Sequence, residues 1–234
     1  MFQLKYYARL LAGGALVMSA AGAHSACLDN IVLVHGNADA PSRWNNTVST
    51  LKSRGYTAEQ LFLPNWGSKT NAGSNDHNSV NTGVVKTALQ SAAASSCTGK
   101  IDVIGHSMGV TLAMKAINEL AYSGRVNTFV SVAGAQHGLN SCGVYPFNVP
   151  SATCGANGLS IDSPLINSVR GKRYATKMYS LKSWIDEIVC VGSCYVYGWH
   201  TSNVDSQNAS YDYPLGHFGL ATATYTRQAD LLMN

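Results

Sequence analysis

The chain has 234 residues, of which 46% are hydrophobic and 12% are charged. This length suits one α/β domain with a packed core, and the composition excludes a disordered chain. The net charge is +4, but no basic run or basic helix occurs, so the sequence excludes a typical nucleic-acid interface.

The N-terminal segment has the pattern of a signal peptide. Lys5 and Arg9 lead into an apolar stretch over residues 10–23, which is too short to span a bilayer comfortably. Small residues suited to cleavage follow. We therefore predict a signal peptide over residues 1–26, a secreted protein (extracellular or periplasmic), and a single domain over residues 27–234. A buried N-terminal helix is the alternative.

Strands and helices alternate along the predicted domain. Apolar and β-branched runs predict strands at residues 31–34, 57–63, 101–104, 128–132 and 177–181. Helical spacing or composition predicts helices at residues 42–53, 80–95, 108–122 and 165–171. Residues 65–78 are interpreted as a surface loop and residues 136–163 as a glycine-rich insertion. The alternation predicts an α/β fold with a mostly parallel central sheet and helices on both faces.

All six cysteines follow the N-terminal segment. An even number of cysteines after an export signal indicates disulfides in an oxidising compartment. Chain position favours three pairs, namely Cys27 with Cys97, Cys142 with Cys154, and Cys190 with Cys194. The alternative, a zinc site, is disfavoured because no C-x-x-C pair with a second ligand pair is present.

A serine stands where a predicted strand changes into a helix, in the stretch Gly105-His106-Ser107-Met108-Gly109. This stretch fits the G-x-S-x-G pattern of a nucleophile elbow, in which glycines relieve the crowding around a strained turn. The buried-type strand before it and the amphipathic helix after it supply the context that the pattern requires. We interpret Ser107 as a nucleophile. A glycine-rich turn with a capping serine is the alternative.

A nucleophilic serine needs a histidine base that is oriented by a carboxylate, and in this type of fold the order is serine, acid, histidine. Among the downstream histidines, His137, His200 and His217, we favour His217, which is framed by glycines near the C-terminus. For the acid we favour Asp186, which follows the strand at 177–181 by a short loop. The alternative acids are Asp162, Glu187, Asp205 and Asp212, of which Asp212 is interpreted as a turn residue.

An acyl-transfer site also needs donors for the oxyanion. The backbone N–H of the residue after the nucleophile, Met108, is one candidate. The second should come from the loop after the first strand, where Gly36 lets the backbone approach closely, and we choose the N–H of Asn37.

Four motifs together resemble those of the class 2 bacterial lipases, which are small secreted α/β-hydrolases that act on carboxylic esters, including acylglycerols. The motifs are Val34-His35-Gly36-Asn37, Gly105-His106-Ser107-Met108-Gly109, Ser183-Trp184-Ile185-Asp186-Glu187-Ile188-Val189 and Gly216-His217-Phe218-Gly219-Leu220. They occur in the family's order over most of the mature chain. The insertion around residues 142–154 and the tract 190–213 are longer than in the smallest members.

The resemblance implies an α/β-hydrolase fold, a triad of Ser107, Asp186 and His217, and oxyanion donors on Asn37 and Met108. The expected partner is an ester or acylglycerol substrate, with transient contact with a lipid interface, and the protein is expected to be a monomer. The chemistry requires no metal and no organic cofactor. Thioester, amide or acyl-transfer chemistry on the same scaffold is one alternative. A catalytically inactive lipid-binding module is another, and a purely structural exported protein is a third.

Overall fold

The computed structural model describes residues 1–2 and 27–233. The predicted signal peptide over residues 1–26 therefore lies, apart from its first two residues, outside the described residues.

The described part of the chain forms ten strands and six α-helices. The strands are β1 (Asn30–Val34), β2 (Leu61–Phe62), β3 (Ile101–His106), β4 (Val126–Val132), β5 (Leu139–Val144), β6 (Ser160–Ile161), β7 (Lys177–Lys182), β8 (Tyr195–Val196), β9 (Trp199–His200) and β10 (Ala209–Asp212). The helices are α1 (Asn45–Ser53), α2 (Ser79–Ser95), α3 (Met108–Glu119), α4 (Pro164–Val169), α5 (His217–Ala223) and α6 (Tyr225–Leu232).

Six strands form the central sheet in the order β10-β7-β4-β3-β1-β2, and every neighbouring pair is parallel. The carboxyl ends of all six strands therefore point to one edge of the sheet, where loops from separate parts of the chain can meet. Two small sheets, β5 with β6 and β8 with β9, lie within the segments that follow β4 and β7.

Alternating residues of the central strands fill two cores, one on each face of the sheet. In β1, Val32 and Val34 join the core that includes buried residues of α2, α3 and α4. Ile31 and Leu33 join the core that includes residues of α1, α5 and α6. Burial on both faces explains why β1 reads as a continuous apolar run. The predicted architecture, a mostly parallel sheet with helices on both faces, is confirmed.

Side-chain caps define the starts of two helices. The Asn78 side chain accepts a hydrogen bond from the N–H of Asn81 at the start of α2. Ser163 accepts one from the N–H of Ile166 at the start of α4, where Pro164 occupies the first turn. Both arrangements satisfy N–H groups that have no partner within the helix.

Two sequence predictions about the sheet were wrong, one about the length of a strand and one about a residue assigned to a turn. The second strand covers only Leu61–Phe62, because a capping box between Thr57 and Gln60 turns the preceding residues into a short 3-10 helix. Asp212, interpreted as a turn residue, is the last residue of β10. This edge strand alternates half-buried and exposed positions and has no apolar run, so nothing in its composition distinguishes it from a loop.

The loop at 65–78 also differs from the expected surface loop. Trp66, Asn75 and His77 within it are buried. The His77 ring contacts the Thr111 hydroxyl of α3 at 2.8 Å and the Asn157 carbonyl at 2.9 Å. This loop therefore packs between the first turn of α3 and the insertion.

Three disulfides are present, Cys27–Cys97, Cys142–Cys154 and Cys190–Cys194, and these are the pairs that chain position favoured. The first joins the segments that enter the neighbouring strands β1 and β3. The other two close short loops. Among the described residues, no helix has the length and apolar character that crossing a membrane requires.

The loop lengths give a prediction for stability. Cys27 and Cys97 are 70 residues apart, whereas Cys190 and Cys194 are 4 residues apart. Chain entropy predicts that replacing the first pair by serines lowers the free energy of unfolding by about 4 kcal/mol, and replacing the last pair by about 2 kcal/mol. Urea unfolding of both double variants measures the difference. An equal or larger loss for the last pair would show that contacts of that loop, and not chain entropy, dominate.

Candidate active site

Ser107 occupies a strained turn between β3 and α3. Its backbone has φ 55° and ψ −131°, a combination that few residues with side chains adopt. The Ser107 N–H donates to the carbonyl of Val132 on the neighbouring strand β4 at 2.9 Å, which holds the turn to the sheet. The serine is thus fixed at the carboxyl edge of the sheet.

The glycines around Ser107 are required by close packing. A Cβ on Gly109 would lie 2.3 Å from the carbonyl oxygen of His35, and one on Gly105 would lie 2.8 Å from the Cα of Val110. A Cβ on Gly36 would lie 3.0 Å from the Cβ of Ser107. Only glycine at these positions lets α3 begin directly against the end of β1.

His217 and Asp186 form a buried contact at the same edge. The His217 Nδ1 lies 2.9 Å from Asp186 Oδ2 and 3.0 Å from Oδ1. Asp186 Oδ1 also accepts from the N–H groups of Ile188 and Val189, both at 2.9 Å. Burial raises the pKa of Asp186, but the hydrogen bonds from His217 and these N–H groups outweigh it, so the pKa lies below its ordinary value. Asp186 is therefore ionised at neutral pH.

The backbone of His217 is held as well as its ring. Its N–H donates to Glu187 Oε2 at 2.8 Å, and its carbonyl accepts from the Nε2 of His106 at 3.2 Å. His106 is fully buried beside Ser107, and burial holds its pKa well below the ordinary value. His106 is accordingly a neutral donor at neutral pH.

Ser107 and His217 open onto one cleft of about 360 Å³. Arg43 and Asp39 lie in its wall and form an ion pair at 2.6 Å. The Arg43 guanidinium lies 4.8 Å from the ring centroid of Phe218, which also lines the cleft. The remaining residues of the wall are Asn37, Ala38, Ala72, His106 and Ile188. The charges of Arg43 and Asp39 therefore offset each other in the wall of the cleft.

Of the two residues named as oxyanion donors, Asn37 lines this cleft, and Met108 directly follows Ser107. Met108 is the first residue of α3, so its N–H has no acceptor within the helix. Asn37 lies on the loop after β1, and its side chain donates to the carbonyl of Ala72 at 3.1 Å and accepts from Asn75 at 2.6 Å. These contacts fix the loop and leave the Asn37 side chain occupied.

The buried ring of His35 holds the loop after β1 in place. Burial lowers its pKa to about 4, so the ring is neutral at neutral pH. Nδ1 contacts the carbonyl of Gly36 at 2.8 Å, and Nε2 accepts from the N–H of Trp66 at 3.2 Å. The Trp66 indole N–H donates back to the His35 carbonyl at 3.0 Å. The loop that carries Asn37 is therefore anchored to the segment after β2.

The structure places the alternative histidines and acids in other contacts. His137 lies 3.4 Å from Asp205. The Nε2 of His200 contacts the carbonyl of Ser183 at 3.2 Å, and Glu187 contacts the backbone of His217 and not its ring. The remaining alternative acids are in ion pairs, Asp162 with Arg170 and Asp212 with Lys182.

One group among the described residues has the spacing of a metal site. Ligand atoms of Cys190, Cys194 and His200 all lie within 4.8 Å of one another. The two cysteines are joined in a disulfide, so their sulfurs are not thiolates and do not suit a metal ion. These residues therefore do not fit a resident metal in this state.

Some contacts of the site go beyond what the sequence indicates. Sequence reasoning gives His106 no role and makes Glu187 only an alternative acid. Gly36 and Gly216 each stand directly before a candidate site residue. A glycine in such a position is the only sequence signal of close packing against that residue. Nothing in the sequence signals the stacking of Arg43 on Phe218, because it joins distant segments.

A sequence model of the family described as Lipase (class 2) matches residues 29–230. The chain belongs to the class 2 lipase family. This membership confirms the family resemblance of the motifs and supports a carboxylic ester hydrolase of the lipase or esterase type.

Solved structures share the fold at low sequence identity. The crystal structure of Bacillus licheniformis lipase BlEst2 in mature form matches with a TM-score of 0.65 and 14% identity, over 89% of this chain and 93% of that chain. Aspergillus fumigatus lipase B matches with a TM-score of 0.62 and 19% identity, over 88% of this chain. This chain spans 53% of that fungal lipase, or about half of its length. No curated protein sequence matches the chain.

The contact between α3 and β1 gives a prediction. Gly109→Ala places a Cβ against backbone atoms that cannot rotate away, so we expect the free energy of unfolding to fall by about 1–3 kcal/mol or more, with loss of ester hydrolysis. The control is Gly83→Ala in α2, where a Cβ meets nothing within 4 Å. That variant should be more stable than wild type by about 0.5–1 kcal/mol. Thermal unfolding measures both, and a fully stable, active Gly109→Ala protein would contradict the packing argument.

Proposed function

We propose that this protein is a secreted serine ester hydrolase in which Ser107 is the nucleophile, His217 the general base and Asp186 the carboxylate that orients it. The observation that carries the proposal is the contact between His217 Nδ1 and Asp186. The same histidine opens onto the cleft that the strained Ser107 lines. Residues of these three types in this chain order suit acyl transfer.

In the first step His217 Nε2 takes the proton of the Ser107 hydroxyl while the serine oxygen attacks the ester carbonyl. The resulting tetrahedral oxyanion collapses and expels the alcohol, which takes the proton from His217. An acyl-serine remains. Asp186 holds the proton on Nδ1, so that Nε2 is the free base, and its charge stabilises the imidazolium that forms.

In the second step water replaces the alcohol. His217 takes a proton from water as the water attacks the acyl-serine, and then returns the proton to the Ser107 oxygen as the acid leaves. The N–H groups of Met108 and Asn37 are the proposed oxyanion donors in both steps. The loss of one such donor typically costs about 2.7–4 kcal/mol of transition-state stabilisation.

Residues 27–234 are proposed to be the catalytic domain, exported to the periplasm or the extracellular medium after removal of residues 1–26. The three disulfides support an oxidising compartment, because such bonds persist mainly outside the cytosol. The proposed active form is a monomer, and its substrate is an ester or acylglycerol.

Exposed apolar side chains beside the cleft support contact with a lipid surface. Ile188 and Phe218 line the cleft and are 41% and 45% exposed. Phe147, at the tip of the loop that Cys142–Cys154 closes, is 93% exposed. Thr153 in that loop donates to the carbonyl of Ala72, a residue of the cleft wall, at 2.5 Å. Because the disulfide pins the loop, we infer a fixed apolar projection next to the cleft.

The serine-hydrolase proposal is tested with p-nitrophenyl esters from acetate to palmitate. Ser107→Ala should lower kcat by about 10⁴-fold or more while the near-UV circular dichroism is unchanged. The matched control is Ser123→Ala, an exposed serine beyond the other end of α3, which should keep full activity. The chain-length profile separates an esterase from a lipase.

Other outcomes decide between the alternatives. Activity that survives in Ser107→Ala would contradict the proposal. A wild-type protein that is inert on all esters but reacts with an active-serine phosphonate would favour thioester, amide or acyl-transfer chemistry. A wild-type protein that is inert to both would favour a lipid-binding module or a structural protein.

The lipid-surface proposal is tested separately. Phe147→Ser should lower hydrolysis of emulsified tributyrin about threefold or more, because a fully exposed aromatic anchor is lost, and leave hydrolysis of dissolved p-nitrophenyl acetate unchanged. The control is Val80→Ser in α2, where the apolar side chain is 72% exposed. Equal loss on both substrates, or no loss on the emulsion, would contradict a role for the tip in lipid contact.

A further inference from the structure

His217 is held by two successive acidic residues, and only the first of them touches its ring. Asp186 contacts Nδ1, whereas Glu187 accepts the backbone N–H of His217 at 2.8 Å. We infer that Glu187 is a positioning residue for the general base, which sets the backbone of His217 so that its ring meets both Asp186 and Ser107. This inference rests on the proposed function.

The contacts of His217 constrain it at three separate atoms. Asp186 fixes the ring, Glu187 fixes the backbone N–H, and His106 Nε2 donates to the backbone carbonyl at 3.2 Å. A ring contact alone leaves the peptide free to shift, and a shift of the peptide moves Nε2 relative to Ser107. Because a misplacement of about 1 Å can lower a catalysed rate by about 10²-fold, the contact at the N–H has a kinetic consequence.

Gly216 supplies an independent observation. Its backbone, with φ −70° and ψ 172°, suits any amino acid, so no conformational reason requires glycine. A Cβ at this position would instead lie 2.6 Å from Glu187 Oε2, the atom that accepts the His217 N–H. The glycine therefore makes room for the Glu187 carboxylate against the start of α5.

The turn that carries both carboxylates is itself fixed. The N–H groups of Ile188 and Val189 donate to Asp186 Oδ1, and the N–H of Cys190 donates to the Asp186 carbonyl at 3.1 Å. Hydrogen bonds to a charged acceptor are stronger than neutral ones, so a carboxylate at position 187 restrains the N–H more firmly than a hydroxyl or water would.

Glu187 does not reach the substrate in this geometry. The described residues that line the cleft include Ile188 and His217 but not Glu187, which is an exposed residue. Its loss should therefore lower kcat, because both steps use His217, and leave KM unchanged.

The test compares Glu187→Ala, Glu187→Gln and Gly216→Ala on one soluble p-nitrophenyl ester. Glu187→Ala should lower kcat about tenfold, because His217 Nε2 loses part of its alignment with Ser107, with KM within about twofold of wild type. Glu187→Gln keeps an acceptor oxygen and should recover most of kcat. Glu59→Ala removes an exposed carboxylate from the short helix before β2 and serves as the control.

Gly216→Ala should reproduce the kinetic defect of Glu187→Ala, because its Cβ displaces the carboxylate. The double variant should be no slower than either single variant, since both remove the same contact. Active-serine titration with a phosphonate gives the folded fraction of each protein, so that kcat refers to competent sites only. Thermal unfolding is measured in parallel.

Several results would overturn the inference. A kcat within twofold of wild type for Glu187→Ala, while Ser107→Ala is inactive, would show that Glu187 does not position His217. The proposed function would be unaffected. A rise in KM without a change in kcat would indicate a substrate contact, and multiplicative defects in the double variant would separate Gly216 from Glu187. Residual full activity in Ser107→Ala would instead overturn the proposed function itself.

Discussion

The candidate site depends on one steric constraint, the direct contact between the start of α3 and the end of β1. A methyl group at Gly109 would lie 2.3 Å from the carbonyl oxygen of His35, so no side chain fits between the two elements. This contact places Ser107 in its strained turn and brings the loop after β1 next to it. Strain of this kind persists only where surrounding structure holds it, and here the burial of β1 and β3 does so.

Polar side chains are also buried at this edge of the sheet. Three histidines, His35, His77 and His106, are buried beneath the loops, and burial lowers the pKa of each. A neutral ring can donate at one nitrogen and accept at the other, and His35 uses both nitrogens to join the main chain at Gly36 to the main chain at Trp66. Because these groups bind protons less readily in the folded than in the unfolded chain, the stability that they contribute is present above their unfolded pKa and falls as pH drops below it.

The sequence predicts those features of the structure that neighbouring residues determine, and it does not predict contacts between distant segments. The turn at Ser107 has a local sequence signature, since five consecutive residues and the strand and helix beside them carry the motif, and the motif therefore indicated the turn. The edge strand β10 and the hairpin of β8 and β9 are short and half-exposed, so they carry no apolar run. The stacking of Arg43 on Phe218 and the donation from His106 to His217 join distant segments, and no pattern in one sequence encodes such pairs.

The acid and histidine loops show how a site can be rigid without regular secondary structure. Between the end of β7 and the start of α5 the chain forms only short strands, yet Asp186 and His217 are both nearly inaccessible to solvent. Their positions are fixed by hydrogen bonds that main-chain N–H groups donate to carboxylates, namely from Ile188 and Val189 to Asp186, and from His217 to Glu187. Such bonds depend on the identity of a few residues and tolerate changes in the length of the loop between them. The tract at 190–213 can therefore carry the exposed aromatic residues Tyr195, Tyr197 and Trp199 without disturbing the contact between Asp186 and His217.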